Sequence, residues 1–371
     1  MAQPGSATWT GNIWIAMAKS CSIRILLHVD KFNFPATGSA TGFYLFSILR
    51  MNSFLKKLLI FFVPILLVVF SFEVYLRNID TLYKDKISGL ELRADSIEVL
   101  ILGNSHACYG INPGQFDKHA FNLAQSNQSL YFDKRLTLGH LDHLVHLKFV
   151  LISLDFHSLY FSSQGIRDVW SYYGNGIEYK NQLGIFPKIS YIFVYTPQAV
   201  ISFFKKDFFG DHTAYPLDIE STVKNYSRED NGWVYFEGTD AMAFTGDGCG
   251  QRAEAFNKTV NNSDEREESL IDLDDFINKL KQKKIIPVLV SSPTYHEFNL
   301  LLDEGVSHRN KQDIDSIAIK QGIQYWDYTH DRRFTKNYFF NCDHLNREGA
   351  DMFSKELNFR LQTIGPEHRR N

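Results

Sequence analysis

Ile97-Glu-Val-Leu-Ile-Leu-Gly-Asn-Ser-His106 is the stretch on which the reading of this chain turns. A run of strand character ends at Gly103, and a short polar segment follows it. Glycine permits a sharp turn, and a helix starting directly after a strand presents unpaired backbone N–H groups at the strand's carboxyl end. Open α/β sheets bind their ligands there. Ser105 then stands where a hydroxyl can serve as a nucleophile, provided that a base lies within hydrogen-bond reach and donors await the oxyanion. The competing reading is purely local, with Asn104 and Ser105 capping a helix.

The far end of the chain supplies a base. Asn341-Cys-Asp-His344-Leu-Asn-Arg-Glu-Gly-Ala350 leads into a pattern that sets Ala350, Phe353, Leu357 and Leu361 on one helical face. His344 therefore falls on the loop just ahead of a helix, a position suited to proton transfer. Between these two motifs, segments 97–102, 120–123, 149–154, 286–290 and 323–327 read as short buried strands. From Asp264 to Lys284, the residues Leu270, Leu273, Phe276, Ile277 and Leu280 repeat every three or four positions, and the stretch ends in a basic cluster, as a helix dipole prefers. Strands alternating with helices imply an α/β fold with a parallel sheet covered on both faces.

The pairing of Ile-Leu-Gly-Asn-Ser-His-Ala with Asp-His-Leu-Asn-x-x-Gly-Ala resembles the SGNH (GDSL-like) hydrolase superfamily over residues 95–362, with an insertion at 156–263. The resemblance implies a three-layer, flavodoxin-like parallel sheet and a Ser-His-Asp type site used for ester hydrolysis or acyl transfer. The membrane-tethered form with a large insertion is similar to proteins that modify bacterial surface polymers. Carried over residue by residue, it makes Ser105 the nucleophile and His344 the base. The family's acid stands three positions before the histidine, and here that position is Asn341; Asp343 is the alternative partner of the ring. An Asn can orient an imidazole but cannot balance its positive charge. Gly103, Asn104 and Asn127 are the expected oxyanion and substrate-binding positions, Asn127 standing where the family offers a glycine and tolerating left-handed backbone better than most residues. The third family block contributes an asparagine, and Val150-Leu-Ile-Ser-Leu-Asp155-Phe-His157 has none.

Lys56-Lys57 precedes an apolar run from Leu58 to Leu76. Its length matches the ~30 Å hydrocarbon core, and no small-residue cleavage site follows it, so residues 56–77 read as an uncleaved single-pass anchor; the resemblance implies that the later domain is extracytoplasmic. Residues 1–50 read as a spurious or disordered extension, since Met51-Asn-Ser-Phe-Leu-Lys-Lys resembles a natural start; a basic, acid-poor targeting peptide is the alternative.

A net charge of −3 gives no sign of a nucleic-acid partner. The aromatic-rich interval, including Trp170, Tyr172, Tyr191, Phe204, Phe208, Trp233 and Tyr235, reads chiefly as the insertion's own core, with a lid or polymer-binding groove as the alternative. His140, His143 and His146 fan over too wide an arc of a helix to share one metal, and no other pattern asks for a metal or cofactor. Cys21, Cys108, Cys249 and Cys342 lack zinc spacing and suggest no disulfide framework. The chain is thus expected to be a membrane-anchored esterase or O-acyltransferase whose partners are an acylated glycan or lipid-linked substrate and, with it, the envelope polysaccharide machinery. The alternatives are a catalytically impaired binding or assembly protein of the envelope and a soluble intracellular esterase.

Overall fold

The computed structural model describes residues 53–78, 82–161, 226–245, 247–260 and 263–364, with scattered positions between 172 and 210. The expectation for residues 1–50, and those for Trp170 and most other aromatics of the interval between 162 and 225, lie outside the described residues. The chain divides after Leu66. Helix α1, Ser53–Arg77, is long and apolar enough to cross a membrane by length and composition; its 25 residues rise about 37 Å.

Beyond Leu66 the order is α2 (Leu82–Arg93), β1 (Val99–Leu102), α3 (Ser105–Gly110), β2 (Ala120–Asn122), α4 (Leu130–His140) and β3 (Phe149–Ser153). A hairpin follows, β4 (Tyr226–Arg228) and β5 (Val234–Phe236), then α5 (Gly248–Thr259) and α6 (Ser263–Gln282). The remainder is β6 (Ile286–Ser291), α7 (Glu304–Gln321), β7 (Gln324–Asp327) and α8 (Arg347–Ile364). The five strands expected from the sequence are present, each within a residue or two of its expected ends, and form one parallel sheet in the order β2-β1-β3-β6-β7. The order reverses between β1 and β3, the point of an open α/β sheet at whose strand carboxyl ends ligands bind.

Alternation along the strands divides the core. Leu100, Leu102, Val150, Ile152 and Leu289 face a cluster built from Tyr83, Ile87, Leu136, Leu273, Phe276 and Ile314, which α2, α4, α6 and α7 supply. Val99, Ile101, Phe149, Leu151, Val288 and Val290 face the other way, onto Tyr109 of α3 and Ala350, Phe353, Leu357 and Leu361 of α8. Those four α8 side chains are at most 1 % exposed, each contributing about 1.5–3 kcal/mol on burial apart from the small alanine. The helical face read from the sequence is therefore the one that clamps the downstream end of the His344 loop to the sheet.

The aromatic interval departs from expectation. Trp233, Tyr235 and Phe236 are buried in the same cluster as β1 and α8 rather than in a core of their own, and Trp233 Nε1 donates to the Tyr109 carbonyl at 2.9 Å. Tyr172 stacks on Phe132, with ring centres 3.7 Å apart. A large indole buried with its N–H satisfied welds the hairpin to the main core. Phe204, Phe208 and Phe209 are exposed.

Candidate active site

Gly103 makes the turn out of β1 with φ +134°. A Cβ there would come within 2.6 Å of the Ser153 Cβ, so only glycine lets β1 and β3 lie this close as the chain leaves the sheet. Its N–H donates to Asp133 Oδ1 at 3.1 Å. Burial raises the Asp133 carboxyl to about 7 against the pull of the Gln128 amide and that N–H. Asn104 caps α3, its Oδ1 accepting from His106 N at 2.9 Å, while its Nδ2 reaches Ser158 Oγ at 3.2 Å and His157 Nε2 at 3.3 Å. The local capping reading is thus right for Asn104. Ser105 is the first residue of α3, where a backbone N–H has no intrahelical acceptor.

The two distant motifs meet. His344 Nε2 lies 2.9 Å from Ser105 Oγ. Asn341 shapes the loop that brings it there, its Oδ1 accepting from His344 N at 2.9 Å and Asp343 N at 3.2 Å. Those two donors fix the amide's orientation, so Nδ2 is the end that faces His344 Nδ1, at 3.2 Å. Asp343 is turned mostly away. Its Oδ1 stands 3.6 Å from His344 Nδ1 and accepts from Arg252 Nε, while Oδ2 meets His106 Nε2 at 3.3 Å. Asn127 has φ +58°, the left-handed geometry anticipated for it.

Behind these residues runs a buried chain of alternating charge that sequence reading missed. His106 lies between Asp155, 3.2 Å from its Nδ1, and Asp343. Burial works against its charge, but the two carboxylates prevail and raise it to about 9, so it is an imidazolium at neutral pH. Asp155 accepts from Ser153 Oγ and Ser292 N, at 3.1 and 3.2 Å. Burial would raise the Asp343 carboxyl, yet Arg252, His344 and His106 hold it well below the usual carboxylate range. His344 is pushed down to about 3 by burial and by the charges of Arg252, His106 and His157, against the pull of Asp343. Burial and the His106 charge likewise take His157 down to about 4. Both rings are neutral in the physiological range.

The expectation that the cysteines form no disulfide is overturned. Cys249 of α5 is bonded to Cys342, which sits between Asn341 and Asp343. Their separation of 93 residues leaves no local spacing for a sequence reading to detect. Cys108 is buried, with Lys86 Nζ 3.3 Å from its sulfur. Among the described residues, one group of side chains is close enough to share a metal ion, His106, Asp343 and His344, with donor atoms within 4.8 Å of one another. Arg252 and the His106 imidazolium already neutralise that carboxylate, which leaves a poor donor set for a cation. His140 instead donates from its ring to the Leu136 carbonyl at 2.8 Å, within its own helix.

No protein-family model matches the chain, and no curated protein does. Solved structures are similar to it at low identity. A Bacteroides fragilis NCTC 9343 protein provisionally described as an acylhydrolase has 9 % identity and a TM-score of 0.37, the match covering 77 % of this chain and 99 % of that one. A protein provisionally described as a platelet activating factor from Streptococcus pneumonia has 12 % identity and a TM-score of 0.35, covering 84 % of this chain and 99 % of that one. The chemistry of the site rests on its own geometry.

Proposed function

We propose that the protein is a membrane-anchored serine esterase or O-acyltransferase of the SGNH type, acting on an acylated extracytoplasmic glycan or lipid-linked substrate. The observation that carries this reading is the 2.9 Å contact between Ser105 Oγ and His344 Nε2 at the point where the strand order reverses. In this reading Ser105 Oγ attacks the acyl carbonyl and its proton passes to His344 Nε2. The backbone N–H groups of Ser105 and Asn127 hold the oxyanion. Collapse of the tetrahedral intermediate expels the alcohol, which takes the proton from His344, and a water or sugar hydroxyl then receives the acyl group by the same steps in reverse. Asn341 sets the loop, and Asp343 is, among the described residues, the carboxylate that lies near Nδ1 of the ring.

An extracytoplasmic site is supported by the Cys249–Cys342 bond, because disulfides persist in oxidising compartments such as the bacterial periplasm. Helix α1 supports the anchor. Modification by the envelope polysaccharide machinery would supply both the acylated donor and the acceptor.

A second reading, a catalytically impaired envelope protein that binds or assembles, is favoured by one observation: Nδ1 of His344 faces an amide donor rather than a carboxylate. Turnover decides between them. The purified full chain, given a chromogenic acetyl ester with and without oligosaccharide acceptors, is expected to release or transfer acetate, and Ser105→Ala is expected to fall to background. Equal rates in the two proteins would remove Ser105 from the mechanism; no turnover by either would favour the binding protein.

A further inference from the structure

Arg252 is a charged group of this site that acyl chemistry at Ser105 leaves unused. It arrives on α5, from the long interval between β3 and β6, and the Cys249–Cys342 bond ties the first turn of that helix to the loop carrying His344. Its Nε donates to Asp343 Oδ1, and its Nη2 points at His344 Nδ1 from 3.5 Å. The second contact matters for the ring. Nδ1 already meets Asn341 Nδ2 at 3.2 Å, so its lone pair faces two donors and the proton of the neutral imidazole resides on Nε2. A ring in that form donates to Ser105 and cannot take its proton. The acceptor that would hold a proton on Nδ1 instead is Asp343 Oδ1, 3.6 Å away, and Arg252 occupies it.

The Arg252 side chain is 36 % exposed, whereas the carboxylate it grips is fully buried. Five N–H donors in a planar fork suit the oxygens of a carboxylate or phosphate, and the two bonds made here engage one edge only.

We propose that Arg252 reads the substrate: it pairs with an anionic oxygen group carried by the substrate near the scissile ester, and in doing so releases Asp343 to His344. The proposal rests on the reading of Ser105 and His344 as the acyl-transfer pair. Once the guanidinium swings to the incoming anion, Asp343 Oδ1 accepts a proton placed on Nδ1, the ring gives up its Nε2 proton to solvent in exchange, and Nε2 becomes the acceptor for Ser105. Without the anion, Arg252 keeps the site slow rather than silent. The enzyme would thus select acylated polymers or lipid-linked intermediates that bear a carboxylate or phosphate beside the acyl group.

The test compares three chromogenic esters on the full chain: a neutral acetyl ester, one with a carboxylate on its acyl part, and one with a phosphate monoester. The wild type is expected to favour an anionic ester by about tenfold or more in kcat/KM, the better of the two identifying the anion. Arg252→Gln is expected to lose that preference to within about twofold while cleaving the neutral ester faster than the wild type. Arg252→Lys, which keeps the charge but not the fork, is expected to fall between them. A merely structural arginine would slow all three esters alike. Preference retained in Arg252→Gln, or slower cleavage of the neutral ester, would overturn the proposal while leaving Ser105 and His344 in place. No cleavage of any ester by the wild type would sink the underlying reading as well.

Discussion

Asn341 stands three positions before His344, and its amide does two jobs: it caps the loop and presents a donor to Nδ1. In a serine protease triad, replacing the Asp by Asn costs about 10⁴ in kcat because the ring takes the wrong tautomer. Asn341→Asp is the reverse change on a backbone already shaped for it. One carboxylate oxygen would keep the two loop N–H groups, and the other would accept a proton on Nδ1. Cleavage of a neutral ester is expected to rise at least about tenfold, measured as kcat/KM at neutral pH; an unchanged or lower rate would mean that the Nδ1 partner does not limit the site. At this scale the sequence was partly legible. Ser105 and His344 were visible because each sits at a junction of strand or loop with helix, where local pattern is strong. His106 stood in the same motif, and the signal to follow was a buried histidine next to a nucleophile, which must find partners of its own. Arg252 carried no signal at all, since it meets Asp343 across 91 residues.

Elements hold these side chains by close approach as much as by hydrogen bonds. The turn at Gly103 is the clearest case, combining a φ of +134° with a site for Cβ only 2.6 Å from the Ser153 Cβ. Gly103→Ala is expected to cost about 1–3 kcal/mol, read as a fall of several degrees in the thermal midpoint, and to reduce ester cleavage because Ser105 is displaced with the turn. Stability unchanged within error would show that β1 and β3 are more yielding there than their packing indicates. The strands and α8 were readable because parallel, doubly buried strands give continuous apolar runs and α8 keeps one apolar face. The hairpin β4–β5 was not, because its aromatics look alike whether they form a separate core or, as Trp233 does, enter the main one.

Across the whole molecule, the buried histidines tie stability to pH. His106 is raised from 6.5 to about 9, so its contribution is complete below pH 6.5 and is lost as pH rises through about 9. His344 and His157 are lowered to about 3 and about 4, so theirs is complete above pH 6.5 and is lost as pH falls through those values. These three groups together place the maximum near pH 6.5, and calorimetry from about pH 5 to about pH 9.5 is expected to show the midpoint falling on both sides. His106→Gln should lower the midpoint and flatten the alkaline arm; an alkaline arm as steep as that of the wild type would place its origin elsewhere. The disulfide works at the same scale, joining a helix of the long interval to the loop that carries His344, and no reading of cysteine spacing could have foretold it.

The most direct measurement is reaction of the intact protein with a fluorophosphonate probe, followed by peptide mapping of the adduct. The account predicts a single adduct on Ser105, absent in Ser105→Ala and formed about a hundredfold or more slowly in His344→Ala. A folded protein that takes no label, or that takes it on another serine, would contradict it.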